Sequence, residues 1–315
     1  MSTTDSVRNT RTKNEDALEK FDTTDVAGGV LPRDLFDQFY QRVQDEANIL
    51  DAVRTEDLPR QKMELARIGV GERMRRGAAE GTGDAGNATI DTSGVEMDVE
   101  KGTVAWDLTR EAVDDTVDEV DEIVLDKMAR QFAVDTQDLG LNGDESSADN
   151  FINQNDGWLK ILDNSADTNT FDQVGDPVDT QMFHETIQAL PNKFKRSDRV
   201  DPVFMLNENQ VQQYRYNLTD RSSPIGDAVI LGEEDLTPFD YDIVGVAAFP
   251  EDSGLFTHPN NLVYALYDEV EIQVLDDTDK VAENDLFARY FMRVRDDFEV
   301  EDENAAVRIN NIATP

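Results

Sequence analysis

Val104-Ala105-Trp106-Asp107-Leu108-Thr109-Arg110-Glu111 leads directly into Ala112-Val113-Asp114-Asp115-Thr116-Val117-Asp118. From Thr109 onward, Val113, Val117, Val120, Val124, Met128 and Phe132 recur at steps of three and four, the stripe of an amphipathic helix. Asp114, Asp118, Asp121, Glu122 and Asp126 fill its other faces. Thr109 suits an N-cap, and Glu111 suits the positive end of the helix dipole. The spacing predicts a long helix from Thr109 to about Val134, ending before Gly140-Leu141-Asn142-Gly143.

Upstream, residues 59–106 have a different character. Lys62 to Ile68 and Gly94 to Val99 both alternate like half-buried strands, with a Gly-rich stretch from Gly77 to Gly94 between them. This reads as a long two-stranded excursion with a flexible tip. An isolated ribbon of that length is marginal in water, so it must rest on something, and a neighbouring copy is the expected support. Earlier still, residues 1 to about 30 read as a mobile arm. Pro32 then opens a helical pattern carried by Leu35, Phe36, Phe39, Tyr40, Val43, Ala47 and Leu50.

Downstream of the long helix, a polar stretch to about Gly175 is interrupted by the apolar patch Trp158 to Leu162. Met182, Phe183, Ile187 and Leu190 mark a helix stopped by Pro191. Val203 to Leu206 reads as a buried strand, and Asn207 with Gln210 has the form of a capping box opening a helix through Tyr216. Strands are expected at 242–249, 262–267, 270–274, 286–295 and 305–312. The pattern is α+β, with no internal repeat.

The charge balance is extreme. The chain of 315 residues carries 68 acidic and 29 basic side chains, a net charge of −39. Such a charge opposes a compact state in dilute buffer. At about 1 M salt the Debye length is only roughly 3 Å, and the repulsion is screened. The composition therefore points to a protein of an extreme halophile. It argues against binding nucleic acid through phosphates, which needs a basic stripe. There is no cysteine, so disulfides, thiolate metal sites and cysteine nucleophiles are excluded. No secretory signal is expected near Met1, and the longest apolar run, Val244 to Phe249, is far shorter than the ~20 residues of a membrane helix.

Motifs of chemistry are weak. Gly81-Thr82-Gly83-Asp84-Ala85-Gly86 matches a dinucleotide fingerprint in letters, but its flanks do not form strand and helix, so it reads as a loop tip. Asp163 to Asn169 imitates the start of a calcium loop but has Thr168 where the turn needs Gly and Val174 where a bidentate Glu belongs. His184 and His258 are far apart and belong to no zinc motif. No catalytic, cofactor or metal residues are expected. Arg73, Arg75 and Arg76 stand out as three guanidinium groups on the excursion of an acidic chain. They either balance Glu72 and Glu80 or dock onto an acidic face of another subunit.

The order of these parts resembles the major capsid proteins of tailed viruses, the Hong Kong 97-like family. Leu31-Pro32 before a helix looks like the family's entry after its N-terminal arm. Residues 59–106 look like its extended loop. Val104 to Glu111 leading into the long helix looks like its strand and spine helix. Phe204 to Asn207 and Ile243 to Pro250 look like parts of its axial domain, and Phe287 to Asp296 followed by Ala305 to Val307 looks like the return to its peripheral domain.

The resemblance implies an organisation in six parts. They are an arm (1–31), an N-terminal helix region (32–58), an extended β-hairpin loop (59–106), a peripheral domain with the spine helix (107–175), an axial domain (176–267) and a return to the peripheral domain (268–315). It implies a virion protein that forms pentamers and hexamers, encloses double-stranded DNA without reading its sequence, and is assembled in the host cytoplasm. Portal, vertex or decoration proteins and a separate scaffold are the implied partners, with no membrane and no cofactor. The candidate inter-subunit residues are Arg73, Arg75 and Arg76, with Asp114, Asp118 and Glu122 of the long helix. Only about 30 residues precede Pro32, so a fused scaffold is not expected. No Lys lies between Arg73 and Glu100, which argues against covalent cross-linking through that loop. An encapsulin-like compartment shell shares the fold and is the nearest alternative. A halophilic cytosolic metal-dependent enzyme is the alternative of another class.

Overall fold

The computed structural model describes residues 48–70, 90–111, 120–195, 201–219, 237–267, 271–275 and 279–315. In chain order the elements are α1 (Asn48–Ala52), β1 (Arg54–Leu58), β2 (Lys62–Val70), β3 (Ile90–Asp98), β4 (Glu100–Thr109) and α2 (Val120–Asn142). Then come α3 (Trp158–Asn164), β5 (Asn169–Asp172), α4 (Thr180–Ala189), β6 (Val203–Leu206), α5 (Glu208–Thr219), β7 (Ile243–Gly245) and β8 (Gly254–Thr257). The chain closes with β9 (Leu262–Tyr267), β10 (Glu271–Leu275), α6 (Asp279–Glu283), β11 (Leu286–Val300) and β12 (Ala306–Asn310). The chain divides into two compact units, and β4, α2 and β11 contribute residues to both. The predicted arm, the first helical pattern and the tip of the excursion lie outside the described residues.

The first unit, among the described residues, consists of 102–111, 120–132, 271–275 and 279–294. β10 pairs antiparallel with β11, from Glu271 opposite Arg293 to Leu275 opposite Arg289, and β4 also pairs with β11. Leu108, Ala288 and Tyr290 are buried together, with Trp106 stacked on Tyr290 at a ring separation of 5.3 Å. The Arg289 guanidinium sits 3.4 Å from the Asp107 carboxylate.

β11 alternates along all its 15 residues, with Leu286, Ala288, Tyr290, Met292, Val294, Asp296, Phe298 and Val300 buried. Because side chains on a strand alternate faces, Phe287, Arg289, Phe291 and Arg293 lie on the less buried side. The sequence pattern shows the alternation, but of its three phenylalanines only Phe298 is on the buried face.

The second unit holds most of the core. A mixed sheet in the order β5-β12-β8-β6-β7 has parallel pairs at its two ends and antiparallel pairs between them. α4 and α5 pack Met182, Phe183, Ile187, Val211 and Tyr214 against Phe204, Leu206, Phe256, Val307 and Ile309. Edge-to-face and stacked rings tie this cluster together, with Phe183–Phe204 at 4.7 Å and Phe204–Phe256 at 4.2 Å. α4 begins where the Asp179 carboxylate accepts the Met182 N–H at 2.8 Å, and it ends at extended Leu190, the residue that Pro191 keeps out of helical geometry.

Elsewhere in this unit β1 pairs parallel with β9, and β9 pairs antiparallel with β11, from Asp296 opposite Leu266 to Val300 opposite Leu262. Trp158 meets Phe298 edge-on at 5.3 Å and donates its indole N–H to the Val263 carbonyl at 3.1 Å. The patch Trp158 to Leu162 is therefore α3, a short helix with Trp158, Leu159 and Leu162 buried.

Two expectations need correction. α2 runs through Gly140 to Asn142 instead of ending before them. Gly140 serves a close approach: a Cβ there would stand 2.8 Å from the Phe298 ring and 3.1 Å from the Trp158 ring. The capping box at Asn207 is half formed. Asn207 Oδ1 accepts the Asn209 N–H at 2.8 Å, but Gln210 turns away and donates to the Glu251 and Ala313 carbonyls. Fixing those distant carbonyls, Gln210 is wholly buried and serves tertiary packing rather than the helix start.

Candidate assembly surface

The excursion seen in the sequence is an antiparallel hairpin. β2 and β3 pair in continuous register from Lys62 opposite Asp98 to Val70 opposite Ile90. Its root is fixed in three ways. Val99 N–H donates to the Gln61 carbonyl at 3.1 Å, Lys62 pairs with Asp98, and Asp98 N–H donates to Asp297 Oδ2 at 2.9 Å. Beneath it, Met97 and Val99 are fully buried with Leu58, Val263 and Ala265. The ribbon belongs to the second unit and has a packed base, while Met63 and Glu64 near that base are exposed.

β11, which holds that root through Asp297, also carries carboxylates held away from water. Asp296 is buried on β11, and desolvation pushes its pKa up to about 7 although Tyr264 Oη donates to it at 3.3 Å. Asp297 is raised to about 6, again by burial first, with the charges of Asp98 and Glu145 adding to it. Burial raises Glu299 to about 7, aided by Asp297, Glu303 and Asp156. No local signal in the sequence separates these acids from the other acidic residues.

Arg73, Arg75, Arg76, Asp114 and Asp118 lie outside the described residues. Glu122 falls on α2, with only its backbone described. The Gly81 to Gly86 motif is also outside them. Asp163 does not open a calcium loop: it lies in the last turn of α3 and accepts from Arg308 Nε at 3.1 Å. His184 leans on Phe239, and His258 Nε2 meets the Phe194 carbonyl at 2.8 Å. Among the described residues no three acidic or histidine side chains converge to hold a metal ion, and no helix is long and apolar enough to cross a membrane. What the described residues offer is a ribbon braced at its root.

The chain has the mixed α+β fold of phage capsid proteins, the Hong Kong 97-like fold. It superposes on a chain of the satellite phage P4 procapsid with a TM-score of 0.67 over 98% of both chains, at 16% identity. The capsid of a native GTA particle gives 0.61 over 85% of this chain and 91% of that one, at 12% identity. Gordonia phage Cozz gives 0.56 over 85% and 87%, at 13% identity. In sequence, the chain is similar to a Bacillus subtilis (strain 168) protein named as a prophage capsid protein, YqbE. The two are 24% identical over 282 residues, which are 83% of this chain and 88% of that protein. No protein-family model matches.

Proposed function

We propose that this chain is the major capsid protein of a tailed virus of a halophilic archaeon. It is a structural subunit that assembles with copies of itself into pentamers and hexamers of an icosahedral head around double-stranded DNA. The observation that carries this reading is the likeness to the P4 procapsid chain along 98% of both chains. The sequence similarity to a prophage capsid protein supports it independently.

In this reading the β2–β3 ribbon and residues 71–89 lie over a neighbouring subunit, and the N-terminal arm ties subunits together. Arg73, Arg75 and Arg76 dock on carboxylates there, with Asp114, Asp118 and Glu122 among the inter-subunit residues. Ring closure follows from heterologous contacts between identical chains. The net charge of −39 keeps the particle soluble in brine and leaves packaged DNA unbound, while salt screens the repulsion between subunits. Portal and vertex proteins and a separate scaffold complete the particle.

Sedimentation of the purified full chain in about 3 M potassium chloride, where screening is nearly complete, tests the proposal. Discrete particles of many copies support it. A monomer in the presence of its candidate scaffold counts against it.

A further inference from the structure

The β2–β3 ribbon changes polarity along its length. Its register sets positions 63, 65, 67 and 69 opposite 97, 95, 93 and 91, and positions 62, 64, 66, 68 and 70 opposite 98, 96, 94, 92 and 90. Successive strand residues alternate faces, so the two sets lie on opposite faces of the ribbon. At the root the first face is apolar, with Met63, Leu65, Val95 and Met97, and Met97 is fully buried with Leu58, Val263 and Ala265 of its own chain. The second face there is charged, with Lys62, Glu64 and Glu96 exposed.

Beyond the pair Ala66–Gly94 the two faces exchange character. The first now carries Arg67, Gly69, Asp91 and Ser93, and the second carries Ile68, Val70, Ile90 and Thr92. The changeover is abrupt. At the small pair itself the Glu64 side chain lies against Gly94, in the space that a Cβ there would need. Twist turns the faces of a ribbon gradually, whereas this exchange between adjacent pairs is written in the residue types. The contacts that bury the first face at the root therefore leave the apolar positions of the second face, farther out, to another surface.

We propose that the outer half of the ribbon docks through this second face, at Ile68, Val70 and Ile90, onto a second copy of the chain. Charge selects the occupant. The residues that continue β2 bring Arg73, Arg75 and Arg76 against the single acid Glu72, in a chain of net charge −39. A copy of the chain thus offers carboxylates to guanidinium groups that follow directly on the apolar positions, giving an apolar centre with a charged rim. The contact rests on the capsid reading, which supplies identical neighbours, and goes beyond it by assigning the docking to one face of the ribbon.

The chain has no cysteine, so a single thiol reports on one position. Ile68→Cys and Arg67→Cys in the full chain, each labelled with a polarity-sensitive fluorophore, test the two faces in about 3 M potassium chloride, where screening is nearly complete. On assembly the emission at position 68 is expected to shift to shorter wavelength, and that at position 67 to stay unchanged. Thr92→Cys and Ser93→Cys repeat the comparison with smaller changes, should a label at position 68 block assembly. Equal shifts on both faces, or none on the second face in particles that form, overturn the assigned face and leave the capsid reading standing. A shift on the second face when a scaffold or decoration protein binds unassembled subunits overturns the second copy as the occupant. Failure of the unlabelled wild type to assemble, with scaffold supplied, contradicts the capsid reading and removes this contact with it.

Discussion

Asp98 and Asp297 are 199 positions apart in sequence, yet the backbone N–H of the first donates to the carboxylate of the second at 2.9 Å. This bond stands at the root of the β2–β3 ribbon and joins it to β11. The same carboxylate also accepts the Phe298 N–H at 2.9 Å, so it serves two backbone donors at once.

Asp297→Ala leaves both N–H groups without that acceptor. Amide exchange across 62–70 and 90–99 is expected to accelerate, with a loss of about 1–3 kcal/mol in stability, the cost of stranding a partly buried donor. Asp297→Asn keeps one acceptor oxygen, enough for one of the two N–H groups, and is expected to fall between the alanine variant and the wild type. Equal exchange in the alanine variant and the wild type would show that the root is held by other contacts.

Stability is expected to fall as pH rises from about 4 to about 8. Asp296, Asp297 and Glu299 have folded pKa values raised to about 7, 6 and 7, above those of the unfolded chain. The folded state thus binds more protons than the unfolded state in this window. The stabilisation is complete below the unfolded pKa values, near 4, and is lost as pH passes the folded ones. Asp144 acts in the opposite sense, since hydrogen bonds from Ser146 and Lys160 lower it to about 2 and its contribution is lost only in strong acid. Asp296→Asn removes the largest burial cost and is expected to stabilise the chain at pH 8 by on the order of 1–3 kcal/mol. Urea midpoints from pH 4 to 8 at fixed salt measure the effect.

Gly140→Ala places a methyl group against two aromatic rings at 2.8 and 3.1 Å. Ala favours helix by about 1 kcal/mol over Gly, but overpacking a rigid ring pair costs about 1–3 kcal/mol. The net expectation is destabilisation, read as a lower melting temperature. A more stable variant would mean that Phe298 and Trp158 give way easily.

Asp163→Ala leaves the Arg308 guanidinium buried without its carboxylate. Removing one member of a buried pair typically costs about 3–5 kcal/mol, and the half-exposed Asp163 places this case at the low end. Equilibrium unfolding should recover much of that loss in the double variant Asp163→Ala with Arg308→Met.

Much of the architecture was legible where period and burial agree. The apolar run Leu262 to Tyr267 is β9 residue for residue, and the alternations around Lys62 and Gly94 are the two arms of a real hairpin. Val203 to Leu206 was legible as β6, but other short elements were not. Seven residues of α3 span two turns, too few to display a period, so Trp158 to Leu162 looked like a patch in a loop. β5 and β8 are four residues each, and their strand character comes from pairing with β12 across more than 45 positions. Gly140 looked like a stop because a glycine in a helix and a glycine after one are the same letter, and only the rings opposite decide between them. Of the candidate contact residues, the sequence could nominate charge in a chain of excess charge, but not the buried acids Asp296, Asp297 and Glu299. Their character is conferred by the neighbours that cover them.

The central claim is that this chain builds a closed shell from itself. Electron microscopy of the recombinant protein in about 3 M potassium chloride, followed by dilution, tests it most directly. Closed shells or capsomer rings that fall apart at low salt are predicted, with Arg73, Arg75 and Arg76 changed together to Glu giving folded subunits that do not assemble. Stable monomers at every salt concentration, with scaffold supplied, would contradict the account.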